Sequence, residues 1–356
     1  LATTDQIHVA QVMQIMAIKG VGPAAFWKVF ARSNSVENAY AEFANKYNLQ
    51  NLQQQLDILS KYQEIGIQCL GFWQSDFPKS YKNLHNYPPL LWYRGKKELF
   101  NTLSIAIVGG RNASFHGIRF AHYLSETLAI KNIAIVSGLA RGIDTASHKG
   151  SMSAKGSTIA VLAGGVDCLY PKENQDLYDN IINDHLVISE MPPGVEPTAE
   201  LFPRRNRLIA GLSKGVCVIE AAIKSGSLIT ASYALDIGLP IFACPGHPYD
   251  PRSRGCNQLI KQGAYVLESA EDVLEHLEFF DTSVKQTNAN IPQSNIRIDD
   301  DLSQQILNTL GHAPILLDDL MQKFAMYSSQ QILTALSELE LQELIRRPYP
   351  NTLTLV

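Results

Sequence analysis

The residues that could do chemistry in this chain are glycines, serines and arginines gathered in short loops. Gly109-Gly110-Arg111-Asn112-Ala113-Ser114, followed by Gly117, is one such loop. Ser137-Gly138-Leu139-Ala140-Arg141-Gly142-Ile143-Asp144 is another, and so are Gly164-Gly165-Val166-Asp167, Ser225-Gly226-Ser227 and Pro245-Gly246-His247-Pro248. Glycine lets a backbone approach a ligand closely, and the free N–H groups of a helix start hold anions. Several loops of this kind together favour a phosphate-bearing ligand. The densest positive charge is Phe202-Pro203-Arg204-Arg205-Asn206-Arg207, opening a helix over Leu208–Leu212. Guanidinium groups there suit phosphates, and the phenyl ring suits a base face. The other reading is a solvated helix start whose arginines have carboxylate partners. Cations at a helix N-terminus oppose its dipole, so the cluster calls for an anion either way. Arg252 and Arg254 extend the patch.

Catalytic constellations are poor. Glu190 and Glu220, at strand ends, are the best acid–base candidates. Asp144 and His148 share a helix face but have no paired nucleophile; Asp144 is expected to hold its turn or cap the helix after it. No GxSxG elbow occurs. The first loop lacks GxGxxG spacing and there is no GxxxxGK[ST], which argues against a dinucleotide or Walker site.

These loops need a scaffold that brings them together. Short apolar runs at Ile105–Val108, Ile133–Val136, Thr158–Leu162, Leu186–Ser189, Val216–Ile219, Pro240–Ala243 and Tyr265–Leu267 alternate with amphipathic stretches such as Gly117–Ile130 and Leu228–Ile237. That rhythm predicts an α/β fold, a doubly wound, mostly parallel sheet covered on both faces. Loops leaving the carboxyl ends of such strands converge on one edge, where ligands bind. This domain spans 101–280.

Residues 1–70 read as a helical module. Its Ile18-Lys19-Gly20-Val21-Gly22-Pro23 resembles the turn of helix-hairpin-helix (or SAM-like) modules, or is simply a tight helix–helix turn. Residues 71–100, rich in proline and aromatics, read as an extended connector packed on the core. Residues 281–298 are polar and read as a linker. Residues 299–356 predict three short helices and a terminal hairpin, the winged-helix plan.

Composition narrows the classes. The 356 residues allow two or three domains, and 46% hydrophobic with 18% charged residues excludes a mostly disordered chain. With 30 Lys+Arg against 34 Asp+Glu the net charge is −4, so any polyanion-binding surface is a local patch. The five cysteines form no CxxC pair and read as reduced thiols in the cytoplasm, with no metal site. No apolar run reaches the ~18–20 residues that span a membrane, and no secretory pattern is present.

The loops together resemble the DNA-processing protein A (DprA/Smf) family. The resemblance is carried by Gly110-Arg111 with Ser114 and Gly117, Ser137 through Asp144, Ala160 through Asp167 with Tyr170-Pro171, and Ser189-Glu190. It continues through Phe202 to Ser213, Glu220-Ala221, Ser225 to Ala231, Pro245-Gly246 and Gly255 to Ile260, over about 105–265. It implies a non-catalytic protein without a cofactor. Such a protein binds incoming single-stranded DNA during natural transformation, protects it and loads the RecA recombinase onto it, through an extended Rossmann-like domain that forms a homodimer. Carried over by position, Gly110, Arg111, Ser114, Ser137, Gly138, Arg141, Phe202, Arg204, Arg205, Asn206, Arg207, Ser225, Gly226 and Ser227 would line the DNA groove. Some relatives carry a lysine just before the aromatic; here Ala199 and Glu200 stand nearby. Arg346-Arg347-Pro348-Tyr349-Pro350-Asn351 replaces the usual glycine-bearing wing turn.

On this reading Arg111→Ala or Arg205→Ala weakens binding and leaves the fold intact. About three or four neutralised phosphates per subunit give a salt slope of roughly −2 to −3. The competing readings are a nucleotide N-glycosidase, with Glu220 as acid and Ser225-Gly226-Ser227 as phosphate cradle, and a nucleotide sensor.

Overall fold

The computed structural model describes residues 2–49, 51–281, 301–310, 315–324, 326–341, 345–346 and 352–355. The chain divides into two compact units, Leu1–Ser283 and Val284–Val356. The linker expected at 281–298 and the wing turn at 347–351 fall almost wholly outside the described residues.

The first unit opens with four helices, α1 (Thr4–Met16), α2 (Pro23–Ser33), α3 (Val36–Tyr47) and α4 (Gln53–Glu64). The strands are β1 (Gln68–Gly71), β2 (Leu90–Gly95), β3 (Ser104–Gly109), β4 (Ala134–Ser137), β5 (Thr158–Val161), β6 (Leu186–Ser189), β7 (Val216–Ile219), β8 (Ile241–Ala243) and β9 (Tyr265–Val266). Between and after them lie α5 (Phe115–Ile130), α6 (Ile143–Ser153), α7 (Gln175–Asp184), α8 (Leu201–Leu212), α9 (Gly226–Asp236), α10 (Arg254–Lys261) and α11 (Glu271–Asp281).

The strands form one nine-stranded sheet in the order β1-β2-β6-β5-β4-β3-β7-β8-β9. Strands β3 to β9 pair in parallel, while β1–β2 and β2–β6 are antiparallel. The expected connector therefore contributes β2 to the sheet, and the end of the expected helical module contributes β1. The Leu90-Leu91-Trp92-Tyr93 run is buried because its side chains alternate between the two packed faces, Leu91 and Tyr93 in one cluster and Leu90 and Trp92 in the other, while β1 pairs with its edge.

Period-2 alternation assigns each strand residue to a layer. Ala106 and Val108 of β3 pack with Leu208, Ile209 and Ala231 of α8 and α9. Ile105 and Ile107 pack with Leu124 and Leu128 of α5 and with Ile143 of α6 on the opposite face. The N-terminal helices are joined to the same body: Val12, Ile15, Phe26 and Leu59 share a cluster with Trp92, Leu162 and Val187.

The chain winds from β3 outward through β4, β5 and β6, then returns to place β7 on the other side of β3. The crevice between the β3 and β7 ends is the switch point where doubly wound sheets bind ligands.

The second unit contains α12 (Asp301–Thr309), β10 (Ile315–Leu316), α13 (Leu317–Lys323), α14 (Ser329–Leu341), β11 (Ile345–Arg346) and β12 (Thr352–Leu355). β12 pairs antiparallel with both β10 and β11. Leu302, Ile306, Leu320, Ile332, Leu336 and Leu353 form its core. This is a winged-helix domain; the sequence pattern missed only the short β10.

Candidate nucleic-acid interface

Two loops meet at the switch point. After β3 the backbone N–H of Gly110 donates to the Glu220 carbonyl at 2.7 Å, which ties the β3 loop to the β7 end. Ser114 caps α5 by accepting from the Gly117 N–H at 3.0 Å. Ser114 is in turn held by Glu220, whose carboxylate accepts its N–H at 2.7 Å and its hydroxyl. After β7, Ser225 caps α9, and its hydroxyl lies 2.8 Å from that of Ser227.

Between these loops lies a cavity of about 210 Å³, lined among others by Arg111, Phe202, Asn206, Ser225, Gly226 and Ser227. The Arg111 guanidinium sits 5.0 Å from the centroid of the Phe202 ring, within cation–π range. Arg111 is exposed and makes no ion pair among the described residues. Tyr170 packs edge-on against Phe202, with centroids 5.7 Å apart, and widens the aromatic surface. The cavity is below the ~300–1,000 Å³ usual for an enclosed small-molecule site. It suits a phosphate and part of a sugar, with the rest of the ligand outside.

Behind this rim the chain clamps the Ser137-Gly138 turn from both sides. Arg205 donates from Nη1 to the Gly138 carbonyl at 2.7 Å and to the Val161 carbonyl, and from Nε to Asn206 Oδ1 at 3.2 Å. Asp144 accepts the N–H groups of Gly138 at 3.2 Å and Ala140 at 3.3 Å. A Cβ at Gly138 would lie 2.4 Å from Arg205 Nη1, so any larger residue there displaces the buried guanidinium. Burial lowers the Arg205 pKa to about 10, so it stays charged at neutral pH. Burial raises the Asp144 pKa, while Arg205 and the loop N–H groups pull it back. Asn206 donates to the Gly226 carbonyl at 3.0 Å and so joins α8 to the start of α9.

A profile of the family described as DNA recombination-mediator protein A matches residues 68–278. The chain belongs to that family. A second profile, the DprA winged helix domain, matches residues 291–348. The DNA processing protein DprA of Bacillus subtilis is 42% identical over 221 residues, covering 62% of this chain and 74% of that protein. Its Streptococcus pneumoniae counterpart is 44% identical over 203 residues, covering 57% and 72%. The X-ray structure of the S. pneumoniae protein superposes with a TM-score of 0.65 at 33% identity, over 77% of this chain and 98% of that one. DNA processing protein A of Helicobacter pylori, whose structure was described for its single-stranded DNA binding mode, gives a TM-score of 0.55 at 28% identity, over 60% and 96%. The family acts in DNA processing and recombination.

Against the residues expected from this family, the structure gathers some and diverts others. Gly110, Arg111, Phe202, Asn206, Ser225, Gly226 and Ser227 stand at the switch point. Arg205 is only 7% exposed and turns inward, so it holds the site together and does not present a free guanidinium. Ser137 is fully buried, its hydroxyl donating to the Ile107 carbonyl at 2.6 Å. Gly138 is buried beneath Arg205, and Ser114 is occupied by its cap and by Glu220. Arg204 and Arg207 both reach the Glu190 carboxylate, Arg204 at 3.3 Å. Arg141 is exposed and pairs with Glu173 at 2.6 Å. Arg252 is drawn to Asp250 at 2.8 Å.

The helix also begins earlier than its pattern indicated: α8 runs from Leu201, so the arginines lie within its first two turns. The anions that offset them there are Glu190 and Asp144, both from this chain. The sequence reading took Glu190 for an acid–base candidate and Tyr170 only for part of the family resemblance; the structure makes Glu190 the counter-ion of Arg204 and Arg207 and sets Tyr170 against Phe202. Those pairings join distant segments, so they are not visible until the fold places them.

The catalytic candidates are also accounted for. Glu220 opens on a different cavity from Ser225–Ser227, beside Cys244 and Gly246. Burial pushes the Cys244 thiol up to about 11. His148 is fully buried, with Nδ1 2.7 Å from Thr158 Oγ1. Because the Thr158 hydroxyl donates to the Ile135 carbonyl, it accepts from Nδ1–H, and Nε2 carries the lone pair. Among the described residues no cluster of His, Cys, Asp and Glu could hold a metal, and no helix is long and apolar enough to cross a membrane.

Proposed function

We propose that this protein binds single-stranded DNA along the rim of the β3–β7 crevice. Arg111 and the start of α9 hold phosphate there, and Phe202 with Tyr170 offers a stacking face. The observation that carries the reading is Arg111 itself: a guanidinium free of carboxylates, lying over an aromatic ring, beside two serines at a helix start. A groove of positive charge with aromatic faces is how single strands are bound without sequence preference. The single-strand binding described for the H. pylori relative supports it. The family's description as recombination mediators supports the further step, protection of incoming DNA during natural transformation and its transfer to the RecA recombinase in the cytoplasm.

The protein acts as a homodimer on this reading. The far edge of the sheet supports a self-contact, with Leu235, Tyr265 and Val266 all exposed there. The reading is non-enzymatic. A glycosidase needs its acid beside the phosphate cradle, and Glu220 spends its carboxylate on Ser114, in a separate cavity. A sensor would enclose its nucleotide, which the small crevice does not.

With Arg205 and Arg207 committed inside the protein, one or two phosphates are neutralised per protomer. The slope of log K against log salt is then roughly −0.7 to −1.4, shallower than the arginine count implied. Gel shifts with single- and double-stranded oligonucleotides of equal length, at two salt concentrations, test this. Preference for the single strand with that slope supports the proposal. Equal affinity for both forms, or tighter binding of a mononucleotide than of the oligonucleotide, overturns it.

A further inference from the structure

A second and larger cavity, of about 640 Å³, lies where the N-terminal helices meet the sheet. Met13 and Met16 from α1, Tyr62 from α4 and Trp92 from β2 make its walls. The Gly20–Gly22 turn, Glu190 and the half-exposed Arg204 also line it. The volume falls within the ~300–1,000 Å³ of small-ligand sites.

We infer that this cavity receives one nucleobase of the bound strand. The inference rests on the single-strand reading above and extends it to a site outside the crevice. Three observations carry it. First, the walls are flat and polarisable. Tyr62 stands edge-on to Trp92 with centroids 5.5 Å apart, and the thioethers of Met13 and Met16 line the same cavity, so a heteroaromatic ring entering it meets the partly buried Tyr62 ring and two polarisable sulfurs. Second, the polar groups fit a base edge and a phosphate. The Gln55 side-chain amide lines the cavity with no protein partner among the described residues, and offers one donor and one acceptor side as a base edge requires. Arg204 is half exposed and spends one N–H on Glu190, which leaves other donors for a phosphate. Third, α8 joins the two sites. Phe202 and Arg205 line the crevice, and Arg204, between them in sequence, lines this cavity. A helix with its side chains is only ~10–12 Å across, so a strand stacked on Phe202 brings a neighbouring base to the second cavity. An amphipathic peptide would use the apolar walls, but it has no need of a free amide or of a guanidinium shared with the first site.

The test compares a dT dodecamer with an abasic dodecamer of the same charge, bound to the full chain. The probe variant is Ala17→Trp, at an exposed position on the cavity wall. Base stacking is worth ~1–3 kcal/mol per base, about fivefold to hundredfold in affinity. Filling the cavity is expected to cut the preference for dT over abasic strand at least fivefold and leave abasic binding unchanged. An unchanged preference, in a variant that melts like the parent, overturns the inference. Arg111→Ala run alongside weakens both strands; if it weakens neither, the crevice reading fails, and not this one. Photocrosslinking of 5-iodouracil oligonucleotides to the unmodified protein needs no variant. Adducts at Tyr62, Met13 or Met16 support the inference, and adducts confined to Phe202 and Tyr170 overturn it.

Discussion

Replacing Arg205 with alanine separates a structural arginine from a DNA-contacting one. The wild-type guanidinium satisfies the Gly138 and Val161 carbonyls and Asn206 Oδ1, and supplies positive charge near buried Asp144. Truncation strands two buried acceptors, each at ~1–3 kcal/mol, and removes the partner of a buried charge, at ~3–5 kcal/mol. These costs overlap because Asp144 and Gly138 belong to one clamp, so the expected loss is about 4 kcal/mol, a large part of the ~5–15 kcal/mol typical of native proteins. Trp27, Trp73 and Trp92 all lie in the first unit. Tryptophan fluorescence during guanidinium unfolding therefore reads that unit alone, free of the second transition that a two-unit chain can show.

The pH dependence has a definite sign. Without Arg205 the Asp144 pKa rises further above its unfolded value. A group of that kind stabilises at low pH and loses that contribution as pH rises through its folded pKa. The deficit of the variant therefore grows as pH rises above the ordinary carboxylate range. A loss below about 1 kcal/mol accompanied by loss of oligonucleotide binding would refute the clamp and restore Arg205 to the DNA surface.

Further substitutions probe the same frame. Gly138→Ala pushes a Cβ to 2.4 Å from Arg205 Nη1 and is expected to cost ~1–3 kcal/mol in the same unfolding assay; an unchanged midpoint would show that the turn has slack. Glu190→Gln frees the half-exposed Arg204, while Arg207 stays largely buried against the Asn86 carbonyl, so the salt slope of single-strand binding should steepen by about 0.7, one phosphate gained, and a shallower slope counts against it. His148, with its pKa lowered to about 3 by burial, must take up a proton on unfolding below about pH 6.5. Stability is complete above that pH and falls as pH drops, by up to ~1.4 kcal/mol per unit. His148→Leu should flatten this acid limb, and an identical limb in both proteins would assign it elsewhere.

Much of the fold was legible because seven of the strands are short β-rich runs spaced by helices, a pattern that only a covered parallel sheet satisfies. The two antiparallel strands were not. Pro88 and Pro89 precede Leu90–Gly95, and its aromatics read as packing and not as pairing; only the buried β6 edge explains why so apolar a run is a strand. The glycine and serine loops pointed to the sheet edge that carries the β3–β7 crevice, since backbone approach and helix capping are local properties. The roles of the arginines were not legible. Arg204, Arg205 and Arg207 look alike in sequence, yet burial and the carboxylates of Glu190 and Asp144 decide their fates, and both carboxylates come from distant segments. Arg111, alone in its loop, carried less signal than the cluster and keeps the freer charge.

That contrast sets the decisive measurement: anisotropy titration of a labelled dT oligonucleotide with the full chain and with Arg111→Ala, across salt concentrations. The account predicts an unchanged unfolding midpoint, affinity at least about fivefold weaker at low salt, and a salt slope less steep by about 0.7, one phosphate contact. Equal affinity and equal slope in the two proteins would contradict it.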